Sequence, residues 1–113
     1  MAVSTSYQRF VLDQLERAFS VVAKPMFGGV GLYAEGYFFA LIADDRLYFK
    51  VDDTNRPDFE AAAMEPFRPY GDERAMRYYE VPIAVLEDAD ALQGWAENAV
   101  AVARRAKQRK RRA

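Results

Sequence analysis

The sequence predicts a two-layer α+β domain in which helices cover one face of a mainly antiparallel sheet of about five strands. Three observations support this class: a helical pattern near each end of the chain, β-like segments joined by short turns between them, and one short helical segment among those strands. The predicted order is α-β-β-β-α-β-β-α. We divide the 113 residues into a single domain, 1–103, and a basic C-terminal tail, 104–113.

The first helix is predicted over residues 5–19, where apolar side chains such as Phe10 and Leu15 recur at helical spacing. Thr5 and Gln8 stand three positions apart, which is the spacing of a capping box at the start of a helix. We therefore expect an amphipathic helix whose apolar stripe faces the sheet.

Strands and one short helix, at 59–64, are predicted in the middle of the chain. The predicted strands lie at 21–33, 37–42, 47–51, 67–70 and 75–81. The second is a continuous apolar run, as in a central strand. The third alternates apolar and polar residues, which indicates a half-buried strand.

The last helix begins after Asp88 or Asp90, which are both good N-cap residues, and its apolar stripe ends near Ala103. Seven basic residues follow, whereas all 17 acidic residues lie in 1–103. Such a tail suits contacts with the phosphates of a nucleic acid, and it equally suits a frayed, solvated helix end. The possible polyanion-binding residues are Arg104, Arg105, Lys107, Arg109, Lys110, Arg111 and Arg112.

The chain contains neither cysteine nor histidine. Disulfides, thiolate metal sites, cysteine nucleophiles and histidine bases are therefore excluded, and Asp, Glu, Lys and Tyr remain for acid–base chemistry. We expect no catalytic residue, no cofactor and no metal site. No apolar run approaches the ~18 residues of a membrane span, and no secretory signal pattern opens the chain, so we expect a cytoplasmic protein without membrane contact.

Three local patterns suggest ligand sites, and each also has a structural explanation. Residues 29–34 match a dinucleotide-binding fingerprint, but a strand follows them where that fingerprint needs a helix. Asp52 and Asp53 are candidate cation ligands, yet their spacing is that of turn and capping residues.

Arginines interleaved with aromatic residues form the third pattern. Arg68, Arg74 and Arg77 lie close in sequence to several tyrosines, an arrangement that binds single-stranded nucleic acid by stacking and charge. The alternative is a sheet face on which arginine stems cover the tyrosine rings. The acidic charge of the body favours this alternative.

Tyrosines on the predicted strands are candidates for a subunit interface. Helices on one face leave the other face of the sheet uncovered, and an exposed aromatic patch usually marks an interface. We expect a homodimer, the commonest closed assembly, in which Tyr48, Tyr78 and Tyr79 are possible interface residues.

Two segments carry a family resemblance. The sequences Met26-Phe27-Gly28-Gly29 and Lys50-Val51-Asp52-Asp53, together with matching residues up to Trp95, resemble the TfoX N-terminal domain family over roughly residues 7–105. The resemblance implies a two-layer α+β domain with an antiparallel sheet and no established catalytic residue. In the competence regulators of this family the domain precedes a helical C-terminal domain, and they act with a cyclic-AMP receptor-type activator on DNA-uptake genes.

Three functional hypotheses follow. The first is a non-enzymatic regulatory module of the bacterial cytoplasm that contacts an unknown protein partner in transcriptional regulation. The second is a direct nucleic-acid binder that uses the basic tail, and the third is a small-ligand binder or carboxylate-based enzyme. A basic stripe on the folded body would favour the second, and a deep pocket with a buried carboxylate would favour the third.

Overall fold

A computed structural model describes residues 3–26, 28–69 and 76–112, without the side chains of Arg111 and Arg112. Its strands form one open antiparallel sheet with the sequential order β1-β2-β3-β4-β5. The elements are α1 (Thr5–Leu15), β1 (Val22–Met26), β2 (Gly29–Ala34), β3 (Tyr37–Ala43), β4 (Arg46–Lys50), α2 (Arg56–Ala61), β5 (Tyr78–Glu80), α3 (Ile83–Leu86) and α4 (Ala89–Arg112). The predicted α+β class and the five-stranded antiparallel sheet are confirmed.

The first and fourth predicted strands do not form as predicted. The segment 21–33 is a hairpin of β1 and β2, because Gly28 takes a positive φ of 74° and lets Met26 pair with Gly29 across a tight turn. The segment 67–69 forms no strand, and beside it Pro66 makes an isolated bridge to Tyr79. Tyr70 and Ala75, the outer ends of the fourth and fifth predicted strands, lie outside the described residues.

The main core lies between one face of the sheet and the helices. α1 contributes Val11 and Leu15, and α4 contributes an apolar stripe that includes Leu92 and Ala99. A register shift in the β2–β3 pairing leaves Phe39 as an extra residue, so that Phe39 and its neighbour Ala40 are both fully buried in this core. The bulge thus adds one large side chain to the helical face.

The other face of the sheet carries a second, smaller cluster. The Phe67 ring, 4% exposed, packs on Tyr48 with ring centroids 4.9 Å apart. Phe38 packs on Tyr78 at 5.3 Å. The expectation of an uncovered face is therefore wrong for this region, because the segment after α2 hydrogen-bonds along the edge of β5 and places the Phe67 ring on Tyr48.

Both long helices begin at a side-chain cap. Ser4, instead of the predicted Thr5, caps α1 by accepting a hydrogen bond from the Tyr7 backbone N–H at 3.2 Å. Asp88, one of the two predicted residues, accepts from the Ala91 N–H at 3.2 Å at the start of α4. α4 then continues as a helix through the segment predicted as a tail.

Candidate functional site

The glycines in and beside the first family segment allow β2 to pack closely against its two neighbouring strands. A Cβ on Gly29 would lie 2.2 Å from the carbonyl oxygen of Ile42, so the backbones of β2 and β3 approach too closely for any side chain. A Cβ on Gly31 would lie 2.7 Å from the Met26 side chain. Residues 29–34 form a strand and do not open a helix, so they are not a dinucleotide site. Phe27, in the family segment 26–29, lies outside the described residues.

The second family segment, 50–53, contains the last residue of β4 and the start of the turn that follows. Asn55 is the one buried polar residue of the described chain; it donates to the Lys50 carbonyl and accepts from the Asp52 backbone N–H. Val51 is buried in the main core. Asp53 is 91% exposed and pairs with Arg56 in the next turn. These contacts are structural, and they agree with the interpretation of both aspartates as turn residues.

Asp52 connects this turn to α4. Its carboxylate accepts hydrogen bonds from the Thr54 backbone N–H at 2.8 Å and from Arg105 at 3.1 Å. Burial alone would raise the pKa of Asp52, but the hydrogen bonds from Thr54 and Arg105 outweigh it, and the pKa lies below its ordinary value. The carboxylate therefore stays ionised and keeps Arg105 in place.

The predicted interface tyrosines are largely internal. Tyr48 and Tyr78 are 8% and 3% exposed, and Tyr79 packs on Phe59 with ring centroids 6.0 Å apart. Burial raises the pKa of Tyr78 above its ordinary value, and Tyr33 adds to the shift. The structure therefore corrects the assignment of Tyr48 and Tyr78 to a subunit interface, since the chain itself covers them.

The basic residues of the predicted tail are divided among different contacts. Arg104 pairs with Glu35 at 3.0 Å, and Arg105 pairs with Asp52. Lys107 lies over the Tyr37 ring, 5.3 Å from its centroid. Arg109 and Lys110 are exposed on the helix, and Arg111 and Arg112 complete it.

The arginines predicted beside the tyrosines do not form one described cluster. Arg68 and Arg77 are exposed, and Arg74 lies outside the described residues. Lysines lie over two of the aromatic rings instead: Lys50 lies 5.0 Å from the Tyr78 ring centroid, and Lys24 lies 4.9 Å from that of Tyr33. Cationic side chains thus cover these two tyrosine rings, but they are lysines and not the predicted arginines.

A groove of about 530 Å³ lies between α1 and α3, and we call it the apolar groove. Its walls include two of the three exposed large apolar residues in the described part of the chain, Phe10 at 42% and Ile83 at 69%. Buried side chains, among them Leu47 and Leu86, lie beneath them. The Gln14 side-chain amide donates to the Leu86 carbonyl at 3.0 Å, which ties the helices of the two walls together.

Carboxylates line the rim of the apolar groove. Asp45, Glu80 and Glu87 face a single cation, Arg46, which pairs with Glu80 at 3.8 Å. Burial, followed by the charges of Glu80 and Asp45, raises the pKa of Tyr7 to about 12. Asp45 and Glu87 are exposed and Glu80 is half-buried, so no carboxylate that lines this groove is buried.

Sequence reasoning missed this groove because its residues come from distant segments. The helical spacing predicts Phe10 in the core stripe of α1, but the neighbouring Val11 takes the inward position and Phe10 lies about 100° away around the helix axis. Ile83 belongs to a four-residue helix that the sequence did not predict. An apolar residue directly after Pro82 was the one signal available.

A comparison with models of known protein families assigns the chain to one of them. A family model described as the TfoX N-terminal domain matches residues 13–103. The chain therefore belongs to the TfoX N-terminal domain family, as the resemblance of its two motif segments predicts. A comparison with curated proteins finds no match.

Proposed function

We propose that this member of the TfoX N-terminal domain family is a non-enzymatic regulatory module that acts by binding a protein partner through the apolar groove. Membership of a family of competence regulators supports a role in transcriptional regulation in the bacterial cytoplasm. The observation that carries the proposal is the pairing of Phe10 and Ile83, two exposed apolar side chains in one groove. Exposed apolar patches of this kind mark interaction surfaces.

The rim defines the chemistry of the partner. Because Asp45, Glu80 and Glu87 surround the apolar walls, a matching segment carries an apolar anchor flanked by lysine or arginine. The acids on the rim select the partner and speed its approach, while burial of Phe10 and Ile83 supplies most of the affinity. The acidic charge of residues 1–103 favours the same basic partner over a polyanion at this surface.

A non-enzymatic role fits the available chemistry. The sequence has no cysteine or histidine, and no group of three or more potential metal ligands occurs among the described residues. In that part of the chain no helix is long and apolar enough to cross a bilayer. A screen of the purified protein against ester, phosphate, nucleic-acid and dehydrogenase substrates tests the proposal, and a rate that a single Asp or Glu substitution abolishes would contradict it.

Site-specific photocrosslinking in the native bacterium tests the groove directly. A photoreactive residue at position 83 is expected to capture a defined partner, whereas one at Val22, which is 56% exposed on β1, serves as the matched control. The captured protein is then retested with Ile83→Asp and Phe10→Asp against Val22→Asp. Equal binding by all three variants would refute the groove as the partner site.

A further inference from the structure

A second cleft lies where α4 passes the end of the sheet, and we call it the lysine cleft. It encloses about 230 Å³ and is lined by Phe38, Lys50, Ala103, Ala106, Lys107 and Lys110. Phe38 and the two alanines form an apolar floor, and the three polar lining residues are all lysines. A small cleft lined by three lysines has the positive charge needed to bind an anion.

The lysines of this cleft have no anionic partner within the described chain. The ion pairs found there use other cations: Arg46, Arg56, Arg104 and Arg105. Among the described residues, the charges that act on Lys50 are those of Lys110 and Arg77, and the pKa of Lys50 is lowered first by burial and then by these two charges. An anion in the cleft would relieve this repulsion.

Neighbouring ion pairs fix the geometry of the cleft. Arg104 pairs with Glu35 and Arg105 with Asp52, so α4 is tied to the sheet through the turns after β2 and β4. Lys107 and Lys110 follow within the next two turns of the same helix. The two acids neutralise the arginines, while the lysines keep their charge for a ligand.

Nearby aromatic rings argue against recognition of unstacked bases. Tyr37 lies under both Arg104 and Lys107, and Tyr78 is buried beneath Lys50. Single-strand binders present open rings on which bases stack. The Phe38 ring in the floor of the cleft is itself packed against Tyr33 and Tyr78. The polar contacts that the cleft offers therefore come from its lysines, and contacts of charge alone read the phosphate backbone without sequence preference.

We propose that the lysine cleft binds the phosphate backbone of duplex DNA independently of sequence, with Lys50, Lys107 and Lys110 as the contacting residues. This surface is separate from the apolar groove, which lies between α1 and α3 and shares no lining residue with the cleft. The module would then hold DNA at one site while it binds a protein partner at the other.

Fluorescence anisotropy with a labelled 20-base-pair duplex tests this site in the full chain. Replacing Lys107 and Lys110 together by glutamine is expected to weaken binding by about tenfold at 50 mM salt and to reduce the log–log salt slope by about 1.8, since each phosphate contact contributes about 0.9. Arg9→Gln with Arg17→Gln removes the same charge from two exposed positions, one on α1 and one in the turn after it, and serves as the control. Equal losses in both double variants would overturn the proposal.

A second comparison distinguishes DNA binding by one side of α4, where the lysine cleft lies, from binding by all the basic residues at the end of the helix. Arg109 lies on the same exposed end of α4 as Lys107 but about 200° away around the helix axis. Lys107→Gln is expected to weaken duplex binding, and Arg109→Gln to leave it nearly unchanged. Equal effects of the two substitutions, or tighter binding of a single strand than of the duplex, would refute the lysine cleft as a duplex site.

Discussion

The Arg105 guanidinium donates a hydrogen bond to the Asp52 carboxylate over 3.1 Å and joins the basic end of α4 to the turn after β4. Arg105 also donates to the Thr54 hydroxyl at 2.9 Å, so this contact spans the whole turn. The pair lies 53 positions apart in the sequence. Together with the Arg104–Glu35 pair, it anchors the first turn of the segment after Ala103 to the folded body.

The first prediction concerns the stability that Asp52 supplies. Asp52→Asn is expected to lower the free energy of unfolding by about 1 kcal/mol at pH 7, because it removes the charge that Arg105 contacts. Asp53→Asn, at a position 91% exposed, is the control and is expected to change stability by less than about 0.5 kcal/mol. Urea unfolding of the three proteins measures the difference.

The same pair of variants predicts a pH dependence. Because the pKa of Asp52 in the folded chain lies below its ordinary 3.8, its contribution is complete above that value and is lost as the pH falls through the folded pKa. The stability difference between wild type and Asp52→Asn is therefore expected to shrink below about pH 4. A difference that stays constant down to pH 2 would contradict this role of the carboxylate.

Two glycine-to-alanine substitutions are expected to act in opposite directions. Gly29→Ala forces a methyl group against the Ile42 carbonyl oxygen and is expected to destabilise the fold by about 2 kcal/mol or more. Gly94→Ala meets no atom within 4 Å in the exposed interior of α4 and is expected to stabilise by about 0.5–1 kcal/mol. Equal midpoints in urea would show that β2 and β3 do not approach as described.

Tyr7 is expected to make the fold sensitive to alkaline pH. Its folded pKa of about 12 exceeds its ordinary value of 10.0, so the unfolded chain ionises first and stability falls as the pH rises between these values. Tyr7→Phe is expected to reduce this loss, and the buried rings of Tyr48 and Tyr78 account for the remainder. Unfolding curves at pH 9 and pH 11 compare the two proteins; an identical pH response would exclude Tyr7 as the source.

Tyr78 is expected to be a stability residue. Tyr78→Asp would place an unpaired charge at a position 3% exposed, so we expect loss of the folded state, measured by circular dichroism. Tyr78→Phe keeps the ring and is the control. A folded Tyr78→Asp variant would show that this ring is accessible after all.

The homodimer itself stays a prediction. Light scattering coupled to size exclusion at tens of micromolar would reject it if the mass remains near 12.9 kDa. With Tyr48 and Tyr78 buried, the exposed apolar residues Phe10 and Ile83 are the better candidates for any self-contact. Ile83→Asp is therefore expected to dissociate a dimer that Val22→Asp leaves intact.

Several elements followed directly from the sequence. The apolar run at 37–42 forms most of β3, with Phe39 to Ile42 buried, and the stripe ending at Ala103 is the inward face of α4. The hairpin inside 21–33 was missed, because a tight turn at Gly28 looks locally like a loosened strand. Composition does not predict that Phe67 covers Tyr48, because this contact depends on a chain reversal after α2.

The sequence by itself determined the fold class, the family and the chemistry that lacks cysteine and histidine, because periodicity, motif segments and composition are local properties of the chain. Only the tertiary structure decided which charged and apolar side chains remain available to bind a ligand or a partner. It neutralised Arg104 and Arg105 with distant acids, gathered Lys50 with Lys107 and Lys110, and left Ile83 exposed beside α1. Availability depends on contacts between residues that are far apart in sequence, and a local pattern does not encode those contacts.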